Sequence, residues 1–252
     1  MAVSISGFCF GHNCVEGGYP VKEAIMAAHP FVDEVVAVDM ESTDGTRALL
    51  ASLPCRVLDS EWGEDNWRLE RGDQVLVKAF RLNRECAGDV IVMFEADEVY
   101  DWTLLQEVVR RVRAGATDLA VHRVQLTQSF QRCKWYPHTV HRIFPRGGGS
   151  YSDNPVAHPS GIEVVDPGHG FLWDVSDCFR DNHEARRKNQ SELWGTPRNL
   201  TVPEHFLQPT EVSEQEVEDS LKQPYWTWKR TPFRIPSVLE PLVGMTRYDP
   251  GL

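Results

Sequence analysis

The sequence predicts an α/β domain: a central, mostly parallel sheet with helices on both faces, turning mixed in its second half. Two observations carry this. Up to Gly115, short apolar runs alternate four times with segments of helical period, the pattern of a doubly wound sheet. After Gly115, strand-like runs follow one another with no helix between them.

The elements follow in order. VSISGFCF (Val3 to Phe10) reads as a buried first strand, and GHNCVEGGYP as the loop after it. In VKEAIMAAHPFV, Val21, Ala24, Ile25, Ala28 and Val32 fall close to the spacing of one apolar helix face. DEVVAVDM is a second buried strand ending on Asp39. DGTRALLASLP is a short helix, with Asp44 placed to cap it and Pro54 to end it. CRVLDSEW is the third strand. The segment from Arg71 to Cys86 has a helical period, with Val75, Ala79 and Leu82 on one side. DVIVMFEAD is the fourth strand. TLLQEVVRRVRAG is a helix with a capping box at Thr103 and Gln106, and Gly115 stands where a C-terminal glycine belongs. TDLAVHRVQLTQSF and HTVHRIFPR are further strands. Polar helices are expected over Ser176–Trp194 and Ser213–Leu221, then an irregular Pro- and aromatic-rich tail packed on the domain.

The 252 residues suit one large domain, or one with a small extension. A net charge of -11, from 26 basic and 37 acidic residues, argues against a nucleic-acid partner. No apolar run is long enough to span a bilayer, and no signal peptide opens the chain, so the cytoplasm is the expected location. Six cysteines stand singly with no C-x-x-C pair, which excludes a zinc knuckle or dithiol site.

Ligands of open parallel sheets sit outside the C-terminal strand ends. Three ends are polar here: His12, Asn13 and Glu16 after the first strand; Asp39, Glu41, Ser42, Thr43 and Asp44 after the second; Glu95, Asp97 and Glu98 after the fourth. Neither a G-x-G-x-x-G nor a P-loop occurs. Asp39 can accept hydrogen bonds from a ribose or a base N–H. Glu95 and Asp97, two apart on a strand, point to the same side and repel unless a cation or proton intervenes. A hard divalent ion with oxygen ligands, Mg2+ or Mn2+ bridging to a diphosphate, fits best.

VSISGFCFGHNCVEGG, DEVVAVDMESTDGT and GDVIVMFEADEVYD, in that order and spacing, resemble the family 2 glycosyltransferases of the GT-A fold. The likeness covers the first hundred residues well and then weakens, although HTVHRIFPR is similar to the family's strand ending in Arg-x-Phe, here Arg142 and Phe144. It implies a metal-dependent transfer of a sugar from a nucleoside diphosphate sugar to a hydroxyl acceptor, with inversion. Asn13 and Glu16 would border the nucleotide, Asp39 would contact base or ribose, and Arg142 would belong to the donor side. Glu95 and Asp97 would form the DxD-like pair, with Asp97 the direct metal ligand and Glu98 facing sugar or acceptor. His169 in DPGHGF, preferred to His158, would complete the metal or phosphate site. The family's downstream His-Glu pair has only His158-Pro159 as its equivalent. Asp153 is therefore the first candidate for general base, with Asp174 behind it, and both positions suit turn residues equally. Trp173 suits a sugar-stacking face or the core. His12, where the family has an aromatic, and Glu95, where it has Asp, are departures.

The resemblance divides the chain into a GT-A catalytic domain over 1–195, with a nucleotide-binding half 1–115 and an acceptor-side half 116–195, and a C-terminal extension over 196–252. A glycan, lipid-linked or protein acceptor is implied. The rivals are a nucleotidyltransferase on a similar sheet, a metal-dependent hydrolase, and a non-catalytic nucleotide-sugar binder. GHNCVEGG lacks the basic residues the first would want, and the histidines show no H-x-H or H-E-x-x-H.

Overall fold

The computed structural model describes residues 3–61, 76–127, 129–133, 138–149, 162–177 and 229–230. The strands run β1 (Ile5–Gly11), β2 (Glu34–Asp39), β3 (Arg56–Asp59), β4 (Val90–Met93), β5 (Glu98–Tyr100), β6 (Leu119–Thr127), β7 (Ser129–Cys133), β8 (His138–Pro145), β9 (Glu163–Val164), β10 (Leu172–Asp177) and β11 (Lys229–Arg230). The helices are α1 (Val21–Ala28), α2 (Thr46–Ala51), α3 (residues 76–81) and α4 (Trp102–Arg113).

The strand order is β11-β7-β6-β8-β4-β1-β2-β3, with β10, β5 and β9 joined off this path. β3, β2, β1 and β4 are parallel to one another. β8 then enters antiparallel between β4 and β6, and the sheet is mixed from there. This is the expected class.

Alternation along the strands divides the core between two faces. Ile5, Cys9, Val35, Ala37, Val90 and Val92 turn to one face, where α1, α2 and α4 pack. Phe8, Phe10, Val36, Val38, Ile91 and Met93 turn to the other, against Leu76, Ala79 and Phe80 of α3 and Phe144 of β8. Strands buried on both faces are apolar at nearly every position, which is why they read as near-continuous runs.

Local departures have local causes. α1 ends at Ala28 because Pro30 lies just beyond, and a short 3-10 turn, His29–Phe31, follows. Val32 therefore leaves the helical face. Ala79 of the expected face is buried, with Leu76 and Phe80 beside it and Leu82 partly buried against the same cluster; Val75 lies outside the described residues. α4 begins at Trp102 with Asp101 in the cap position and no side-chain capping bond, so the Thr103–Gln106 capping box is not formed. β5 and β10, absent from the sequence reading, pair antiparallel with each other, and β10 runs through Ser176 and Asp177 where a helix was expected to begin. The rest of that segment, and the helix expected over Ser213–Leu221, lie outside the described residues. Of the tail, Lys229 and Arg230 pair with β7. No helix among the described residues is long and apolar enough to cross a membrane.

The end of α4 meets the expectation. Gly115 has φ +108, its N–H donates to the Val112 carbonyl, and the Ala116 N–H donates to the Arg111 carbonyl. This is the bonding of a Schellman cap. Space around Gly115 is open, so an added Cβ would meet backbone strain alone. Gly115→Ala is expected to lower stability by about 1 kcal/mol, read as a lower denaturation midpoint at unchanged m-value.

Candidate functional site

The parallel register sets Gly11 of β1 opposite Asp39 of β2. β4 ends beside β1 two residues before Glu95. Three strand ends therefore open on one side of the sheet. Gly11 is the close-packing point: a Cβ there would lie 2.5 Å from Cys14 Sγ and 3.1 Å from Ala96 Cβ. Its absence lets the loop after β1 lie against the Glu95–Asp97 turn.

The loops after β1 and β2 are stitched together. The Met40 N–H donates to the Gly11 carbonyl at 3.0 Å, and His12 Nδ1 donates to the Met40 carbonyl at 2.6 Å. The Asn13 N–H donates to Ser42 Oγ at 2.9 Å, and Asn13 Oδ1 accepts from the Thr43 N–H at 2.8 Å. The Val15 N–H donates to Thr46 Oγ1 at 3.1 Å, and the Glu16 N–H to Asp44 Oδ2 at 2.5 Å. Asp44 also accepts from the Thr46 N–H and hydroxyl, so it organises the start of α2, one residue outside the cap position expected for it. Burial pushes its carboxyl up, but the Thr46 hydroxyl and the two amides more than offset this and hold it below the usual range.

Asp39 is 4 % exposed. Its Oδ2 accepts from the Ser42 N–H at 3.2 Å, while Oδ1 is buried with no hydrogen-bond partner. An unmet buried acceptor of this kind costs about 1–3 kcal/mol, more when charged. Asp39, Asp44 and Asp97 also act together on one buried group. The Cys14 thiol is pushed up by burial first, then by Cys9, and then by these three carboxylates. Negative field from the ends of β2 and β4 thus converges where Cys14 lies.

Behind the turn sits a buried ion network. Glu98 is 1 % exposed and Arg142 is 3 % exposed. Arg142 donates through Nε to Glu98 Oε2 at 3.0 Å, and through Nη2 to Glu98 Oε1 and Glu95 Oε1, both at 2.7 Å. Arg123 on β6 adds a bond to Glu98 Oε1 at 3.0 Å. The Glu95 N–H donates to Glu98 Oε2, and the Glu98 N–H to the Glu95 carbonyl. Burial alone would raise the Glu98 carboxyl, but Arg142 and then Arg123 hold it at about 2.

The residues singled out by sequence therefore separate into groups. Asn13, Asp39, Glu95 and Asp97 meet at the strand ends, and the exposed Glu16 is tied in through its amide. Glu98, expected to face sugar or acceptor, turns inward, because β5 pairs with β10 and directs it to the two arginines. Arg142, expected at the donor, commits its guanidinium to Glu98 and Glu95. Asp174 lies opposite Glu98 in the β5–β10 register, is 6 % exposed, and is 4.0 Å from Arg123. His169 ends a 3-10 turn, is 44 % exposed in its side chain, and has Nε2 3.9 Å from Glu107 of α4. Asp101 anchors the next residues by accepting from the Phe171 N–H, which keeps this turn on α4. Among the described residues no three His, Cys, Asp or Glu side chains gather as a metal-ligand set. Asp153 and His158 lie outside the described residues. Trp173 is fully buried, edge-on to Phe171 at 5.8 Å, and belongs to the core. Arg123 was missed. Its signal was an arginine inside an apolar strand, since arginine is buried only with a partner.

No family model matches the chain, and no curated protein matches it. Solved structures do. Glucosyl-3-phosphoglycerate synthase from Mycobacterium tuberculosis, in complex with Mn2+, UDP and glucosyl-3-phosphoglycerate, is similar at 20 % identity and TM-score 0.35, over 49 % of this chain and 44 % of that one. The same enzyme with Mn2+, UDP-glucose and phosphoglyceric acid gives 20 % identity and TM-score 0.36 over the same shares. A mycobacterial protein is similar at 18 % identity and TM-score 0.34, over 50 % of this chain and 42 % of that one. The chain spans less than half the length of these structures.

The network makes an acid-sensitivity prediction. Glu98 ordinarily titrates near 4.5 and is held at about 2 in the fold. Its contribution to stability is complete above the higher value and is lost as pH falls through the lower one. Glu98→Gln is expected to make the loss of stability between these values shallower, by up to about 1.4 kcal/mol per pH unit. Arg142→Met, which strands two carboxylates, is expected to lower stability at neutral pH by about 3–5 kcal/mol. Urea unfolding at stepped pH reads both.

Proposed function

We propose that the chain is a family 2-like glycosyltransferase of GT-A type, moving a sugar from a nucleoside diphosphate sugar to a hydroxyl acceptor. The observation that carries this is the buried, unpartnered Oδ1 of Asp39 at the meeting of three strand ends. A base N–H or ribose hydroxyl supplies the donor it lacks. Because Oδ1 is covered in this structure, donor entry has to displace the groups over it.

Asn13 and Glu16 border the nucleotide. Asn13 holds the loop after β2 in place, and its left-handed backbone, φ +46, bends the chain around the opening. The donor set suits a divalent cation, Mn2+ or Mg2+. Asp97 is half-buried at the tip of the turn, and its neighbours add negative field. Ions of this class in phosphate sites take one or two protein carboxylates and complete their shell with phosphate oxygens and water. Asp97 would be the ligand; Glu95, already held by Arg142, would face the ribose or a bound water. When bound, the cation neutralises charge on the departing diphosphate.

Glu98 acts as the anchor of the turn rather than as a contact to sugar. The acceptor proton goes to a carboxylate. Asp153 is the first candidate, and Asp174 the second, since it lies within the Glu98–Arg123 network. Inversion and a glycan, lipid-linked or protein acceptor complete the reading, supported by the motif likeness.

Calorimetry with UDP-, GDP- and dTDP-glucose tests it, with Mn2+ and with EDTA. One donor is expected to bind with Mn2+. Asp97→Ala and EDTA are each expected to abolish transfer, and Asp39→Ala to weaken donor binding by about tenfold, the worth of one buried hydrogen bond. Unchanged donor affinity in Asp39→Ala overturns the site, and full activity in chelator overturns the metal. Tight binding without turnover against any acceptor would make the chain a binder instead.

A further inference from the structure

Asp101 stands where the chain leaves β5 for α4, at the N-terminal cap position, yet its side chain makes no capping bond. Its carbonyl accepts from the Leu105 N–H at 3.0 Å and opens the helix. Its N–H donates to the Phe171 carbonyl at 3.0 Å and extends the β5–β10 ladder by one more pair. In an antiparallel ladder such a residue accepts the return bond through its own carbonyl, but here the helix has taken that carbonyl. The carboxylate stands in for it: Asp101 Oδ2 accepts from the Phe171 N–H at 2.8 Å. Gly170 makes the approach possible. A Cβ there would lie 2.6 Å from Asp101 Oδ2, and its φ of +112 favours glycine.

The other end of the same strand reaches the candidate site. One residue past the Asp174–Glu98 pair, the Val175 N–H donates to the Asp97 carbonyl at 3.0 Å. There the register of β10 with β6 shifts, between Asp174 and Asp177, and such irregularities commonly lie beside active sites. The stretch between the two bonds is held in the core, with Leu172, Trp173 and Val175 fully buried. Its register is therefore common to both ends. A slip of one residue would bring Asp174 to the face that Trp173 fills and carry the Val175 amide away from Asp97. The Asp101 carboxylate fixes that register at one end, and the Asp97 turn depends on it at the other. We propose that Asp101 is a positioning residue: by pinning the start of β10, it holds the backbone of Asp97 where that side chain can meet a divalent cation.

This rests on the cation reading above. Calorimetry with UDP-, GDP- and dTDP-glucose at stepped Mn2+ gives the Mn2+ concentration for half-maximal donor binding. Asp101→Ala is expected to raise it about tenfold, the lower end for groups that act behind a metal ligand, with donor affinity at saturating Mn2+ unchanged. Asp101→Asn, which keeps an acceptor for the Phe171 N–H, is expected to restore the wild-type value. Gly170→Ala, whose Cβ would press on the carboxylate, is expected to act like Asp101→Ala. Gly115→Ala, which weakens the far end of α4, is expected to leave the Mn2+ requirement unchanged. Amide exchange at Val175 is expected to quicken in Asp101→Ala and Gly170→Ala but not in Gly115→Ala. An unchanged Mn2+ requirement in both Asp101→Ala and Gly170→Ala overturns the proposal. So does an equal rise in Gly115→Ala, which marks a general loss of stability. In either case a wild type that needs Mn2+ leaves the cation reading standing. If the wild type binds donor equally well in EDTA, the cation reading falls and this inference falls with it.

Discussion

The buried Glu98 carboxylate, held between Arg142 and Arg123, is the constraint on which the candidate site depends. Removing a carboxylate from water is strongly unfavourable, and only partners of opposite charge with good geometry offset it. Here two guanidiniums supply three bonds of 2.7 to 3.0 Å to its two oxygens. The arginines come from β8 and β6, strands of the mixed half of the sheet, while Glu98 follows the turn that closes the parallel half. The network therefore locks the two halves in one geometry. Its second acid, Glu95, extends from the same turn to Arg142, so the arrangement that satisfies the buried charge also sets the turn that carries Asp97.

The second constraint is the parallel register. β1 and β2 end together, and their loops exchange backbone and side-chain bonds over the pair Gly11–Asp39. Such cross-bonding offsets the entropy lost in ordering the two loops, and beneath it Asp39 is 4 % exposed. It also leaves one Asp39 oxygen unsatisfied. The same stitching that stabilises the loops thus holds an acceptor in a state that a ligand improves.

Much of this was legible in the sequence, and the parts that were not share a cause. The parallel strands β1 to β4 are continuous apolar runs bounded by helices of clear period, so local pattern sufficed. Gly115 was readable because a left-handed cap has a strong residue preference. β5 and β10 were not readable. β5 is three residues long and begins with the acidic Glu98, and β10 carries Asp174 and Asp177. Their strand character comes from pairing with each other, a long-range contact that no local pattern reports. The same limit governed the site. Asp39 and Asp97 were singled out from strand-end position, and the parallel register does set Asp39 opposite Gly11 at the end of β1. The partners of Glu98, Arg142 and His169 were not legible, because whether a charged group faces solvent, an arginine or a helix depends on residues far off in sequence.

The charge of the opening bears on how an anionic donor could be held there at all. Residues 11–18, 39–46 and 94–97 contribute Glu16, Asp39, Glu41, Asp44, Glu95 and Asp97, and not one Lys or Arg. Among the described residues, Arg142 and Arg123 donate to Glu98 and Glu95 behind the turn. A diphosphate entering such a field unaccompanied would be repelled, and the repulsion would be strongest at the desolvated end near Asp39. A divalent cation at Asp97 reverses the local sign, so under the proposed reading charge balance makes cation and diphosphate mutually dependent ligands. The carboxylates then divide by partner. Under that reading Asp97 would meet the cation and Asp39 a neutral N–H or O–H donor of the nucleoside, while Glu98 meets the arginines.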